Sequence, residues 1–119
     1  MTQSEAVLDM SVIASLRELG GDGDEDLFHE LLVLYVDDST LQMRRLEESL
    51  KSGDLKTAER IAHTLKSSSA NLGAMAMSRL CQQMESLGRS TSPATMSELL
   101  PAAREAHALA VSALNALRG

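Results

Sequence analysis

Glycine divides this chain into segments, and within each of them apolar residues recur every three or four positions, which places them on one face of an α-helix. The breaks are Gly20-Gly21, Gly23, Gly53, Gly73 and Gly88, while Pro93 and Pro101 are the only prolines. Tyr35 and Phe28 are the only aromatic residues, and the apolar positions are mostly Leu, Ala, Met, Val and Ile. Ala, Leu and Met are strong helix formers, whereas strands draw on β-branched and aromatic side chains, so the composition favours helix over sheet.

Val12, Ile13, Leu16 and Leu19 predict a short amphipathic helix from about Asp9 that stops at Gly20-Gly21. The acidic run Asp22 to Asp26 then suits the N-terminal dipole of a second helix. Leu27, Leu31, Leu34, Leu41, Leu46 and Leu50 carry that helix to Ser52-Gly53, and Asp37-Asp38-Ser39-Thr40 is the place where it could loosen. Asp54 can cap a third helix with a buried stripe of Leu55, Ala58, Ala62, Leu65, Ser69 and Leu72, ended by Gly73 in a left-handed conformation. A fourth helix from about Ala74 to Leu87 buries Met77, Leu80, Met84 and Leu87 and is expected to end at Gly88. Arg89 to Pro93 reads as a loop, and the last segment, Ala94 to Leu117, is either kinked at Pro101 or starts in earnest there. The pattern predicts an all-α fold, an antiparallel four-helix bundle with a short additional N-terminal helix, in one domain covering residues 1–119.

The net charge of −6 argues against binding to nucleic acid or to anionic lipid. Cys81 is the single cysteine, which excludes an internal disulfide and any cysteine-rich metal site. The N-terminus lacks the basic start of a signal peptide, and no apolar run approaches the ~18 residues of a membrane span, so a cytoplasmic protein without membrane insertion is expected.

Chemistry concentrates in Ala62-His63-Thr64-Leu65-Lys66-Ser67-Ser68-Ser69-Ala70-Asn71-Leu72-Gly73-Ala74. If Ala62, Leu65, Ser69 and Leu72 face the core, His63 lies about 100° round the helix, toward solvent. Arg60 and Lys66 are each three residues away and Ser67 four, so two cations and a hydroxyl surround the imidazole. A neutral imidazole is nucleophilic and, once phosphorylated, a good leaving group, and such cations would neutralise the phosphate. Spacing alone does not separate this arrangement from an ordinary surface histidine beside Lys and Ser.

The run from His63 to Ser69, followed by Asn71-Leu72-Gly73-Ala74, resembles the phosphorylation motif of the histidine-containing phosphotransfer domains of two-component phosphorelays. The likeness extends to Phe28, Leu31, Leu32, Tyr35, Leu46, the Ser52-Gly53-Asp54 turn, Leu80-Cys81 and Met84-Glu85, covering roughly residues 24–90. The resemblance implies a four-helix bundle in which His63 is the phosphoacceptor at Nε2 and Lys66 supports the phosphoryl group, with Arg60 and Ser67 in supporting positions. It implies a phosphorelay intermediate that takes phosphate from a receiver-domain aspartate and passes it to another receiver. The partners would be response-regulator receiver domains and a hybrid sensor histidine kinase. No cofactor is expected in this chain; Mg²⁺ would come with the receiver, and the domain is expected to act as a monomer. Ser67 departs from the family's usual glycine, yet it is small enough to keep the histidine open. The docking surface is expected to be an apolar patch on helices two to four, with Leu41, Met43 or Met77 contributing.

Other motifs are weaker. His29-Glu30 opens like a zinc-protease motif, but the position of the second histidine holds Val33. Asp26 and His29 lack the further carboxylate-histidine pair of a bundle metal site. His107 reads as a polar residue on the last helix, Cys81 as a small buried hydrophobe, and Arg44-Arg45 as solvated surface balanced by Glu47-Glu48. No Gly-rich nucleotide loop is present, so autonomous kinase activity is not expected. Two alternatives stand beside the phosphotransfer reading: a non-catalytic helical module that binds a receiver or a partner helix, and a fragment of a histidine-kinase dimerisation domain. Against the latter stand the missing ATP-binding domain and Thr64, where an acidic residue commonly follows the histidine.

Overall fold

Six helices follow one another along the chain in the computed structural model, which describes residues 7–19, 25–90 and 93–118. They are α1 (Met10–Leu19), α2 (Glu25–Ser52), α3 (Leu55–Asn71), α4 (Met75–Ser90), α5 (Pro93–Ser97) and α6 (Leu100–Arg118). The long helices α2, α3, α4 and α6 form the bundle. α3 packs most extensively on α4 and next on α2, and α6 closes the bundle against α2 and α4. No strand occurs among the described residues.

Two glycines make the reversals, and both use the same chemistry. Gly53 and Gly73 take φ of 79° and 80°, in the left-handed region that favours glycine. After α2, Asp54 N–H donates to Ser49 O at 2.8 Å and Gly53 N–H to Leu50 O at 3.3 Å. After α3, Ala74 N–H donates to Ser69 O at 2.8 Å and Gly73 N–H to Ala70 O at 3.0 Å. Each is a Schellman motif that satisfies the last carbonyls of its helix. Asp54 then caps α3, accepting from Thr57 N–H at 3.1 Å and Thr57 Oγ1 at 2.7 Å. The Thr57 hydroxyl, and then its N–H, hold the Asp54 carboxyl below the usual carboxylate range.

Gly73 has a second duty. Asp9 N–H donates to Gly73 O at 2.8 Å, and a Cβ on Gly73 would lie 3.0 Å from Asp9 O. The start of α1 therefore rests on the α3–α4 turn. Asp9 in turn begins α1 by accepting from Ser11 N–H at 3.0 Å and Ser11 Oγ at 2.6 Å.

The core includes Ile13, Phe28, Leu32, Leu46, Leu65, Met77, Met84, Met96 and Leu114, all essentially inaccessible. In α3 the predicted stripe holds at Ala58, Ala62, Leu65, Ser69 and Leu72, joined by Ile61 and with Leu55 half-buried. In α2 the face is shifted from the leucine repeat. Phe28, Leu32, Tyr35, Ser39, Met43, Leu46 and Leu50 point inward, while Leu27, Leu34 and Leu41 are exposed. Met43 and Met77 are buried and cannot form part of an exposed docking patch, so of the three expected contributors Leu41 alone is exposed.

Three local expectations change. α2 is continuous through Asp37 to Thr40, because Ser39 faces the core and its Oγ lies 2.8 Å from His107 Nε2 on α6. Packing there overrides weak propensity. α4 does not stop at Gly88 but runs to Ser90; a Cβ on Gly88 would lie 3.1 Å from Glu59 Cβ, so this glycine serves the close approach of α4 to α3. The last segment is divided, with α5 ending at Ser97 and α6 beginning at Leu100, so Pro101 occupies a first turn, where its missing N–H costs nothing. The acidic residues Asp22 to Asp24 lie outside the described residues.

Gly73→Ala is expected to cost about 2 kcal/mol or more, since it forces a left-handed backbone on alanine and presses Cβ onto Asp9. Gly53→Ala, where a Cβ meets open space, should cost only about 1 kcal/mol. Urea unfolding compares the two, and equal losses would show that α1 is not held against the turn.

Candidate functional site

His63 lies on α3 opposite the buried stripe, and its side chain is 60% exposed. From α4, Glu85 reaches across with a side chain only 7% exposed and uses both carboxylate oxygens. Oε2 lies 2.7 Å from His63 Nδ1, and Oε1 lies 2.8 Å from Lys66 Nζ. Lys66, 30% exposed, stands one turn along α3 from the imidazole. The Lys66 ammonium, and then the His63 hydrogen bond, hold the Glu85 carboxyl below its usual range against the opposing effect of burial.

An ionised carboxylate can only accept hydrogen bonds, so the 2.7 Å contact places a proton on Nδ1. In the neutral ring the lone pair then belongs to Nε2. A second-helix carboxylate thereby sets the tautomer and fixes the ring against rotation, in the manner of the orienting partner of a catalytic histidine.

Helix packing makes this reach possible. Ser78 Oγ on α4 donates to Lys66 O on α3 at 2.9 Å, which ties the two helices beside the site. Behind it, Tyr35 OH and Ser69 Oγ are 2.7 Å apart in the core, joining α2 to α3. Burial pushes the Tyr35 phenol up from its ordinary value, so this hydroxyl remains protonated.

The structure brings His63 and Lys66 together as the sequence implied, but with Glu85 as their common partner. Arg60 is exposed and borders the same depression as Lys56, Glu59, His63 and Glu85. Ser67 is exposed one turn beyond the imidazole. Glu85 is the residue that the motif did not single out as functional. Its signal was a carboxylate four residues after Cys81 on the buried side of α4. His107 is half-buried against Ser39, and burial lowers its pKa from the ordinary histidine value. Cys81 is buried, and desolvation pushes its thiol up to about 12, which removes it as a nucleophile. Among the described residues no three His, Cys, Asp or Glu side chains are grouped as a metal site, and Glu85 is already committed to an ammonium and an imidazole.

The histidine motif and this geometry agree with the family comparison, in which residues 30–117 match the Hpt domain. The chain belongs to the Hpt domain family. An Hpt domain is a phosphorelay intermediate that carries a phosphoryl group on histidine. The crystal structure of histidine-containing phosphotransfer protein B from Pseudomonas aeruginosa PAO1 superposes with a TM-score of 0.86 at 28% identity, covering 96% of each chain. The Hpt domain of a sensor hybrid histidine kinase from Shewanella shares the fold, with a TM-score of 0.76 at 20% identity over 93% of this chain and 92% of that one. Multistep phosphorelay regulator 1 of Schizosaccharomyces pombe is 27% identical over 88 residues, 74% of this chain and 30% of that protein. This Hpt domain thus spans under a third of the length of that curated relative.

Replacing Glu85 by Gln keeps a hydrogen-bonding side chain but removes the charge that balances Lys66. A loss on the order of 1–2 kcal/mol at pH 7 is expected. Because the folded-state pKa of Glu85 is depressed, its contribution is complete above the ordinary value of 4.5 and is lost as pH falls through the folded-state pKa. The stability gap between the wild type and Glu85→Gln should therefore close in acid, and a gap that stays constant from pH 7 to pH 3 would refute the charge-balancing role.

Proposed function

We propose that His63 accepts a phosphoryl group at Nε2 from the aspartyl phosphate of a receiver domain and returns it to the aspartate of another. The observation that carries this reading is the Glu85 carboxylate on Nδ1 of an imidazole that is otherwise open to solvent. In the forward step the Nε2 lone pair forms the N–P bond while the acyl O–P bond breaks, and the aspartate carboxylate leaves with the electron pair. Nδ1 keeps its proton against Glu85 throughout. Lys66 sits within one turn to neutralise the incoming phosphate, and Arg60 adds a second cation on the other side. Ser67, in place of glycine, borders the approach without closing it.

The partners in this reading are response-regulator receiver domains and a hybrid sensor histidine kinase, met in the cytoplasm by a monomeric domain spanning residues 1–119. No helix among the described residues is long and apolar enough to cross a membrane. Mg²⁺ belongs to the receiver, since the carboxylate that contacts His63 already serves Lys66 and the ring. Most of the charge stabilisation is then the partner's, while this chain contributes a positioned nucleophile.

His63→Gln is expected to abolish acid-labile, base-stable labelling by a phosphorylated receiver, at a stability cost on the order of 1 kcal/mol because Glu85 loses the imidazole N–H. Labelling that survives would move the site elsewhere. Receiver binding without any labelling of the wild type would leave a docking module in place of a relay.

Lys66→Ala should slow transfer or shorten the lifetime of the phosphohistidine; unchanged kinetics in both directions would reduce Lys66 to a partner of Glu85. Ser67→Tyr places a bulky ring one turn from the imidazole and should slow transfer at least about tenfold, roughly 1.4 kcal/mol in the barrier. Normal transfer by that variant would mean that the receiver approaches from another side.

A further inference from the structure

A polar groove between α2 and α3 runs alongside His63 without belonging to its hydrogen-bond network. Arg45 and Glu48 of α2 face Thr57, Arg60 and Thr64 of α3 across it. Arg60 also borders the depression that holds His63 and Glu85, so it stands between groove and site.

The sequence balances Arg44-Arg45 against Glu47-Glu48, but the fold removes half of that balance. Glu47 is drawn to Arg104 of α6. Arg45 is exposed and forms no ion pair among the described residues. Lys56 and Arg60 add exposed cations on α3, and the charge of Glu85 is taken up by Lys66 and the imidazole. Against them stand Glu48 and Glu59 on the same walls. Asp54, beside Arg60, adds a third carboxylate; Arg45, Lys56 and Arg60 are nonetheless exposed together along groove and site in a chain of net charge −6.

A surface that delivers an acyl phosphate is anionic, and the chain as a whole would repel it. Screening at physiological salt acts over about 8 Å, so the charges next to the contact decide the encounter and the net charge does not. Guanidinium is also the group best shaped to grip a carboxylate through two parallel hydrogen bonds. We propose that Arg45 is a docking residue that binds a carboxylate on the receiver domain beside its phosphoaspartate, with Arg60 completing the cationic rim. This inference rests on the phosphotransfer reading above.

The test measures transfer from a phosphorylated receiver to the wild-type chain, Arg45→Glu and Lys51→Glu. Lys51 is exposed on α2 outside the groove, and its reversal changes net charge equally. Arg45→Glu is expected to lower kcat/KM at low salt by at least about tenfold through KM, with the gap narrowing as salt rises, whereas Lys51→Glu stays within about twofold of wild type. Labelling of His63 by phosphoramidate, a donor too small to need docking, checks that the site is intact. Equal slowing by both reversals would assign the effect to net charge and overturn the proposal, as would unchanged transfer in Arg45→Glu. A loss confined to kcat, or shared by phosphoramidate labelling, would place Arg45 in the chemistry and equally overturn a docking role. Wild-type protein labelled by phosphoramidate but by no receiver would sink the phosphotransfer reading itself, and this inference with it.

Discussion

A nearly buried carboxylate must be balanced, and the balance of Glu85 is the constraint on which the site depends. Its two oxygens are divided between an ammonium and an imidazole on the neighbouring helix. Removing either partner would leave charge uncompensated at a covered position, which costs more than the pair itself contributes. The arrangement needs α4 to lie close and in fixed register along α3. Gly73 allows the tight turn, and Gly88 lets the helices approach at Glu59, so two residues without side chains determine how far Glu85 can reach.

Polar contacts elsewhere hold that register. Tyr35 with Ser69, and Ser39 with His107, join α2 to α3 and α2 to α6 inside or at the edge of an otherwise apolar core. An apolar layer tolerates small slips, because dispersion is not directional. A buried hydroxyl does not, because moving a helix by one turn would strand it without a partner. These pairs specify one alignment of the bundle, and the alignment carries the α3–α4 hairpin with it.

Much of this was legible from residue spacing. The capped start of α3 at Asp54, its stripe from Ala58 to Leu72 and the outward placement of His63 all follow from local rules, since each depends on neighbours within two turns. The inward face of α2 did not follow, because Leu27, Leu34 and Leu41 mimic a buried repeat that tertiary packing leaves in solvent. Gly88 misled for the same reason: a helix-ending glycine and a close-packing glycine look alike until the facing helix is known. Glu85 lies 22 positions from His63 in sequence, and only the hairpin brings the two together.

The Glu85 contact also bears on direction. In the proposed exchange the ring must act as nucleophile when phosphate arrives and as leaving group when it departs. A proton on Nδ1 serves both steps: it leaves the lone pair on Nε2 before transfer, and it lets the ring depart neutral afterwards. Glu85 favours that proton at every stage, including the phosphorylated one, when the ring carries positive charge beside the carboxylate. No proton has to move in either direction, and Lys66 can lean from Glu85 toward phosphate without leaving the carboxylate alone, because Nδ1–H still holds it. A carrier built this way favours neither step by a proton transfer of its own, which leaves the direction of flow to the receivers that dock on it.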